Sequence, residues 1–125
     1  MKYSPVSINC FTRVYAHAFT VSHNVRLNCT PLDECNFEGK CTFLSDDKKS
    51  GFVLSHNGEL TNVFSTRKGC GDELMLYALA HGAKHLDCFD GYLVNFYSKY
   101  GFEEYNREAN WDEGQPDVVY MRTVD

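Results

Sequence analysis

The sequence predicts a single α/β domain over residues 1–125, in which a mixed, mostly antiparallel central sheet of six to seven strands is flanked by helices. Three observations lead there. Short β-prone runs recur between turn signals. A strand that ends in a glycine pair runs straight into an amphipathic helix. A strand-helix-strand unit follows, which suggests a mixed sheet. With 43% hydrophobic and 14% aromatic residues, the chain has apolar material for one core and is too short for two.

In chain order, Val6, Ile8 and Cys10 alternate with Ser7 and Asn9 and predict a first strand. From Phe11 to Val25 the pattern is mixed, with helix favoured by Val14, Ala18 and Val21. Asn28 to Lys40, with Pro31, Gly39 and three acids, reads as an irregular connection that either lids a site or packs on the sheet. Cys41–Leu44 and Gly51–Ser55 are strands joined by the polar turn Asp46–Lys49. Asn57-Gly58 marks a hairpin because both residues tolerate positive φ, and Leu60–Ser65 is the third strand of a meander. Asp72–Ala83 carries Leu74, Met75, Ala78 and Leu79 on one helical face, with two acids in its first turn. His85–Phe89 is a strand, and Asp90-Gly91 opens a helix carrying Leu93, Phe96, Tyr97 and Tyr100, closed by Gly101. Phe102–Asn106 and Asp117–Arg122 are strands around the loop Glu108–Pro116.

The net charge of −5 and a pI near 5.5 remove the general attraction to phosphate backbones, so no nucleic-acid partner is expected. No apolar run is long enough to span a bilayer, and Met1–Pro5 lacks a signal-peptide pattern, so a cytoplasmic location without membrane is expected. The six cysteines are then expected to stay reduced. Cys29, Cys35 and Cys41 lie too far apart for ordinary zinc spacing, and no metal is assigned.

Arg67-Lys68-Gly69-Cys70-Gly71 lies between a strand and a helix. Amides at a helix start lack intrahelical acceptors, glycines allow close backbone approach, and two basic side chains add positive potential. This chemistry suits a diphosphate. The spacing is neither that of a P-loop nor that of a dinucleotide fold, since Leu74 stands where a third glycine would be needed.

The order of parts, with Thr66–Gly71 followed by a helix, a strand and Tyr97-Ser98-Lys99-Tyr100-Gly101-Phe102, resembles the GCN5-related N-acetyltransferase family. The likeness covers about Lys40 to Arg122. The short length and the segments Leu86–Gly91 and Gln115–Val119 are similar to small members from phages and mobile elements. The resemblance implies an acyl-CoA N-acyltransferase-like fold that uses acetyl-CoA to acetylate an amine of a small molecule or protein. It implies that Arg67, Lys68, Gly69, Cys70, Gly71 and Asp72 hold the diphosphate, and that Val63, Phe64 and Ser65 present backbone groups to the pantetheine arm. Tyr97 takes the position of the general acid, and Asp87 that of a base. Asp90, Arg107 and Trp111 fall where the acceptor binds, although Asp90 is favoured as the N-cap of the tyrosine helix. A homodimer is compatible with the family. Thr66, Asp72 and Gly91 depart from its pattern, which keeps a non-enzymatic binding protein on the same fold as the alternative.

Overall fold

Ser7 ends the first strand instead of lying within it. In the computed structural model, which describes residues 2–123, strand β1 spans Tyr3–Val6 and helix α1 spans Ile8–Val21. The strand expected over Val6–Cys10 is therefore corrected. The Ser7 hydroxyl accepts from the Cys10 amide at 3.1 Å and caps the helix. Phe11, Tyr15 and Ala18, at helical spacing, bury one face. Pro5 is tolerated because β1 lies at a sheet edge. Helix α2 (His23–Asn28) and a 3-10 turn (Leu32–Glu34) follow, then strands β2 (Cys41–Ser45), β3 (Ser50–Leu54) and β4 (Leu60–Ser65). After these come α3 (Gly71–Ala80), β5 (His85–Phe89), α4 (Tyr92–Ser98), β6 (Phe102–Glu108) and β7 (Val118–Thr123).

Contacts group these elements into two compact units, Met1–Ala83 and Lys84–Asp125. In the first, the sheet runs β1-β2-β3-β4 with antiparallel neighbours. Its two faces are covered by different helices, as strand alternation requires. Leu44, Val53 and Phe64 join Phe11, Tyr15, Ala18, Val25 and Phe37 in one cluster on the α1 side. On the other side Phe52 stacks on Phe43 at 4.7 Å, and Phe43 meets His81, just past α3, at 4.8 Å. The segment Phe11–Lys40 thus packs on the sheet. Phe37, inside its irregular part, sits edge-on to Phe11 at 5.2 Å. Full burial of each such ring contributes roughly 1.5–3 kcal/mol.

In the second unit the order is β5-β7-β6, again antiparallel throughout. Leu86, Tyr97, Phe102, Val119 and Met121 are buried there. The α/β class holds, with seven strands among the described residues in ladders of four and three. Among the described ladders none is parallel, so the mixed pairing suggested by the strand-helix-strand pattern is not seen.

Two local endings turn on glycines with positive φ. Helix α3 closes at Ala80, just before Gly82, the residue expected to mark its end, which takes φ +101°. The Gly82 amide then bonds the Leu79 carbonyl and the Ala83 amide the Ala78 carbonyl, a paired closure that absorbs the last free carbonyls. The hairpin at Asn57-Gly58 forms, but only Gly58 has positive φ. Asn57 instead uses its side-chain oxygen to accept from the Ser55 hydroxyl and the Glu59 amide. Among the described residues no helix is long and apolar enough to cross a membrane.

Candidate functional site

Strand β4 carries an irregularity that the sequence reading missed. Val53 pairs with Thr61 and Gly51 with Phe64, so Phe52 alone stands opposite Asn62 and Val63. This is a bulge, with Asn62 at φ +54°, a region asparagine enters more readily than most residues. The Asn62 side-chain amide donates to the Tyr15 hydroxyl at 3.1 Å and contacts Cys35 Sγ at 3.2 Å. The Tyr15 hydroxyl donates to the Thr30 carbonyl at 2.7 Å. Cys29 Sγ donates to the Val63 carbonyl at 3.2 Å, and burial pushes its thiol up to about 12. Two of the three cysteines weighed as ligands therefore serve the bulge. Among the described residues no group of three or more His, Cys, Asp or Glu is arranged to hold a metal. The Val63 carbonyl, one of the backbone groups expected to face a ligand, thus already accepts from a protein donor. A polar residue such as Asn62 inside a β-prone run was the one available signal of a bulge.

β4 is an edge of its sheet, and it delivers Ser65 to the glycine loop. The Ser65 hydroxyl accepts from the Arg67 amide at 3.0 Å and donates to the Arg67 carbonyl at 2.6 Å. With that proton committed, the buried Cys70 thiol donates to Ser65 Oγ at 2.8 Å. Cys70 occupies the N-cap position of α3, yet its side chain caps no amide. Gly69 has φ +79°, and open space lies where a side chain would project. Among the described residues, no protein acceptor meets the amides of Lys68, Gly69 and Gly71, whereas the Cys70 amide closes the turn that starts at the Arg67 carbonyl.

Arg67 turns toward the β2–β3 turn, where Nε lies 3.1 Å from Asp47 Oδ2. The angle is poor for a hydrogen bond, and Arg67 Nε and Nη2 are buried without an aligned acceptor. The Ser45 hydroxyl, more than Arg67, holds the Asp47 carboxyl below its ordinary range. The loop is therefore rich in donors and short of acceptors, a composition that fits an anion with several oxygens. Asp72 is exposed in the first turn of α3.

In the second unit Tyr97 is only 7% exposed, its ring edge-on to Phe96 and Phe102. Asp87 lies exposed on β5, in register with Tyr120. Asp90 does not cap α4, which corrects that expectation. The cap position is Gly91 at φ +140°, and the Asp90 carboxylate accepts from Arg107 at 2.7 Å. Arg107 also bonds Glu104 through two nitrogens, at 2.8 and 3.1 Å, and reaches Asp117 at 3.4 Å. Two predicted acceptor residues are thus joined in one ion cluster with Asp117, which flanks the same last loop, and with Glu104, a member the sequence did not point to. Trp111, on the loop between β6 and β7, is 87% exposed. A groove of about 450 Å³ between α4 and β6, lined in part by Val94, Phe102, Glu104 and Met121, contains none of the predicted site residues.

No protein-family profile and no curated protein matches the sequence. Solved structures do. The ribosomal-protein-S18-alanine N-acetyltransferase of Escherichia coli superposes with a TM-score of 0.69 at 16% identity, over 98% of this chain and 92% of that one. A probable acetyltransferase from Staphylococcus epidermidis gives 0.64 at 17% identity, over 96% of both chains. The ribosomal-protein-alanine N-acetyltransferase of Brucella melitensis gives 0.58 at 15% identity, over 100% of both. At such identities fold is what is shared, and the chain has the acyl-CoA N-acyltransferase-like fold of these acetyltransferases.

Proposed function

We propose that the protein is an acetyl-CoA-dependent N-acetyltransferase that acts on an amine of a small molecule or protein by direct transfer. The observation that carries this reading is the set of amides of Lys68, Gly69 and Gly71 before and at the start of α3, without protein acceptors, beside the under-bonded guanidinium of Arg67. Acetyl-CoA would supply an acetyl group already activated as a thioester. Residues 67–72 hold its diphosphate, the amides by hydrogen bonds and Lys68 by charge. Val63–Ser65, on the edge of β4, offer backbone groups along the pantetheine arm, with the Val63 carbonyl excepted because Cys29 already uses it. Tyr97 holds on its Oη the proton that a departing thiolate needs, and the Asp87 carboxylate takes one from the attacking amine. Asp90, Arg107 and Trp111 face the acceptor.

Calorimetric titration with acetyl-CoA tests this. Saturable binding, with a stability gain of about 2.7 kcal/mol at a hundredfold excess over the dissociation constant, is the expected result. Lys68→Glu should weaken binding by about tenfold, equivalent to about 1.4 kcal/mol. Absence of any heat or thermal shift with millimolar ligand rejects the reading.

A further inference from the structure

The chain's charge is divided unequally. Residues 1–83 contain eight acidic and eight basic side chains, whereas residues 84–125 contain nine acidic and four basic ones. The whole net charge of −5 therefore belongs to the second unit. Strand register concentrates much of it at one end of the β5-β7-β6 sheet. Phe89, Val118 and Glu108 lie side by side there, and the Asp90 amide bonds the Asp117 carbonyl at 2.8 Å. Arg107 is one cation shared among Asp90, Glu104 and Asp117, so that cluster stays anionic even when fully paired.

Aromatic surface is exposed at the same end. Phe89 is 41% exposed, Tyr92 is 65% exposed and Trp111 is 87% exposed. Trp111 does not hang on a formless loop. The Asn110 side-chain amide donates to the Pro116 carbonyl at 3.0 Å, and its oxygen accepts from the Asp112 amide at 2.9 Å. The Gln115 amide bonds the Asp112 carbonyl at 3.2 Å. The loop's own bonds thus hold the largest apolar side chain of the protein in water, next to Asp112 and Glu113. An indole in that setting attracts cations to its face as well as apolar stems to its surface.

We infer that this end of the sheet docks a basic polypeptide segment, with a Lys or Arg side chain stacked on Trp111 and its neighbours paired to the surrounding carboxylates. The occupant is a polypeptide and not a small cation because the surface is open and long. Its acids and rings spread over three strands, each roughly 4.8 Å from the next, and over the loop beyond them. Small ligands need a concave site that encloses them. Charge complementarity selects a basic partner, and the exposed rings supply the anchor that charge alone lacks. As the identity of an acceptor, this inference rests on the acetyltransferase reading. As a docking surface it does not, and acetyl-CoA binding measured in parallel separates the two failures.

Trp111 is the sole tryptophan, so its emission reports on the loop directly. The full chain is titrated with a Lys/Arg-rich peptide, and with a Glu-rich peptide of equal length as control. The expected result is a saturable change in emission with the basic peptide alone, weakening as salt is added. By calorimetry, Trp111→Ala should lower affinity about tenfold, and Asp112→Asn with Glu113→Gln should weaken it and flatten its salt dependence. Circular dichroism verifies that each variant is folded. The inference is overturned if the basic peptide gives neither emission change nor heat at low salt. It is equally overturned if folded Trp111→Ala binds the peptide as the parent does, or if free arginine and a linear polyamine bind as tightly as the peptide.

Discussion

Asn62 and Tyr15, separated by 47 positions in sequence, meet through a 3.1 Å hydrogen bond that pins the β4 bulge to helix α1. The asparagine supplies both a backbone conformation and a side-chain donor, and these two contributions can be separated. Asn62→Ala should lose about 2–3 kcal/mol, combining roughly 1 kcal/mol of left-handed strain with about 1 kcal/mol for each lost hydrogen bond. Asn62→Gly retains the conformation and should lose about 1 kcal/mol less. Urea denaturation midpoints at constant slope measure both, and equal losses would show that the left-handed backbone contributes nothing.

The Ser65 hydroxyl organises the glycine loop by bonding both backbone groups of Arg67 and the Cys70 thiol. Ser65→Ala leaves the Arg67 amide without that acceptor and should destabilise by about 1–3 kcal/mol. Acetyl-CoA affinity should fall with it, because the loop amides lose their fixed arrangement. Wild-type melting together with wild-type affinity in this variant removes Ser65 from the site.

Burial raises the Cys29 thiol to about 12, above its ordinary value near 9. The folded state then holds this proton more tightly than the unfolded chain does. The corresponding stability is fully present below pH 9, and it declines as pH rises from there toward 12, by at most about 1.4 kcal/mol per unit. Cys29→Ala should reduce that alkaline slope while costing stability at neutral pH. In thiol labelling at neutral pH, exposed Cys41 should react well before Cys29. An unchanged alkaline slope in Cys29→Ala contradicts the assignment.

Hydrogen bonds from Arg107 hold the Glu104 carboxyl below its usual range. The contribution of this pair is present at neutral pH and is lost as pH falls through that lowered value. Arg107→Met leaves three carboxylates facing one another. It should lower the melting temperature at low ionic strength, by an amount that shrinks as salt screens the repulsion. It should also raise the Glu104 titration midpoint seen by NMR. A melting deficit independent of salt assigns Arg107 a packing role instead.

Local chemistry made most elements legible. The β2, β3 and β4 runs, the amphipathic α3 and the Gly101 stop before β6 are each specified by residues within a few positions, so the order of parts and the glycine loop were readable in advance. The N-terminal strand was misplaced because the alternation of Val6, Ile8 and Cys10 fits a strand, while Ser7 is also a capping residue. The choice fell to Phe11, Tyr15 and Ala18, which bury only if the helix starts early.

What the sequence determined by itself was the inventory, namely which segments extend, which coil, and where free amides at a helix start follow a pair of basic residues. Tertiary structure decided the partnerships. Asp90 went to Arg107 and not to a helix cap, Cys29 to the Val63 carbonyl and not to a metal, and Arg67 toward Asp47. Propensity acts over a handful of neighbouring residues, whereas a hydrogen bond or ion pair joins whatever the packed chain brings within about 3 Å, at any separation along the sequence.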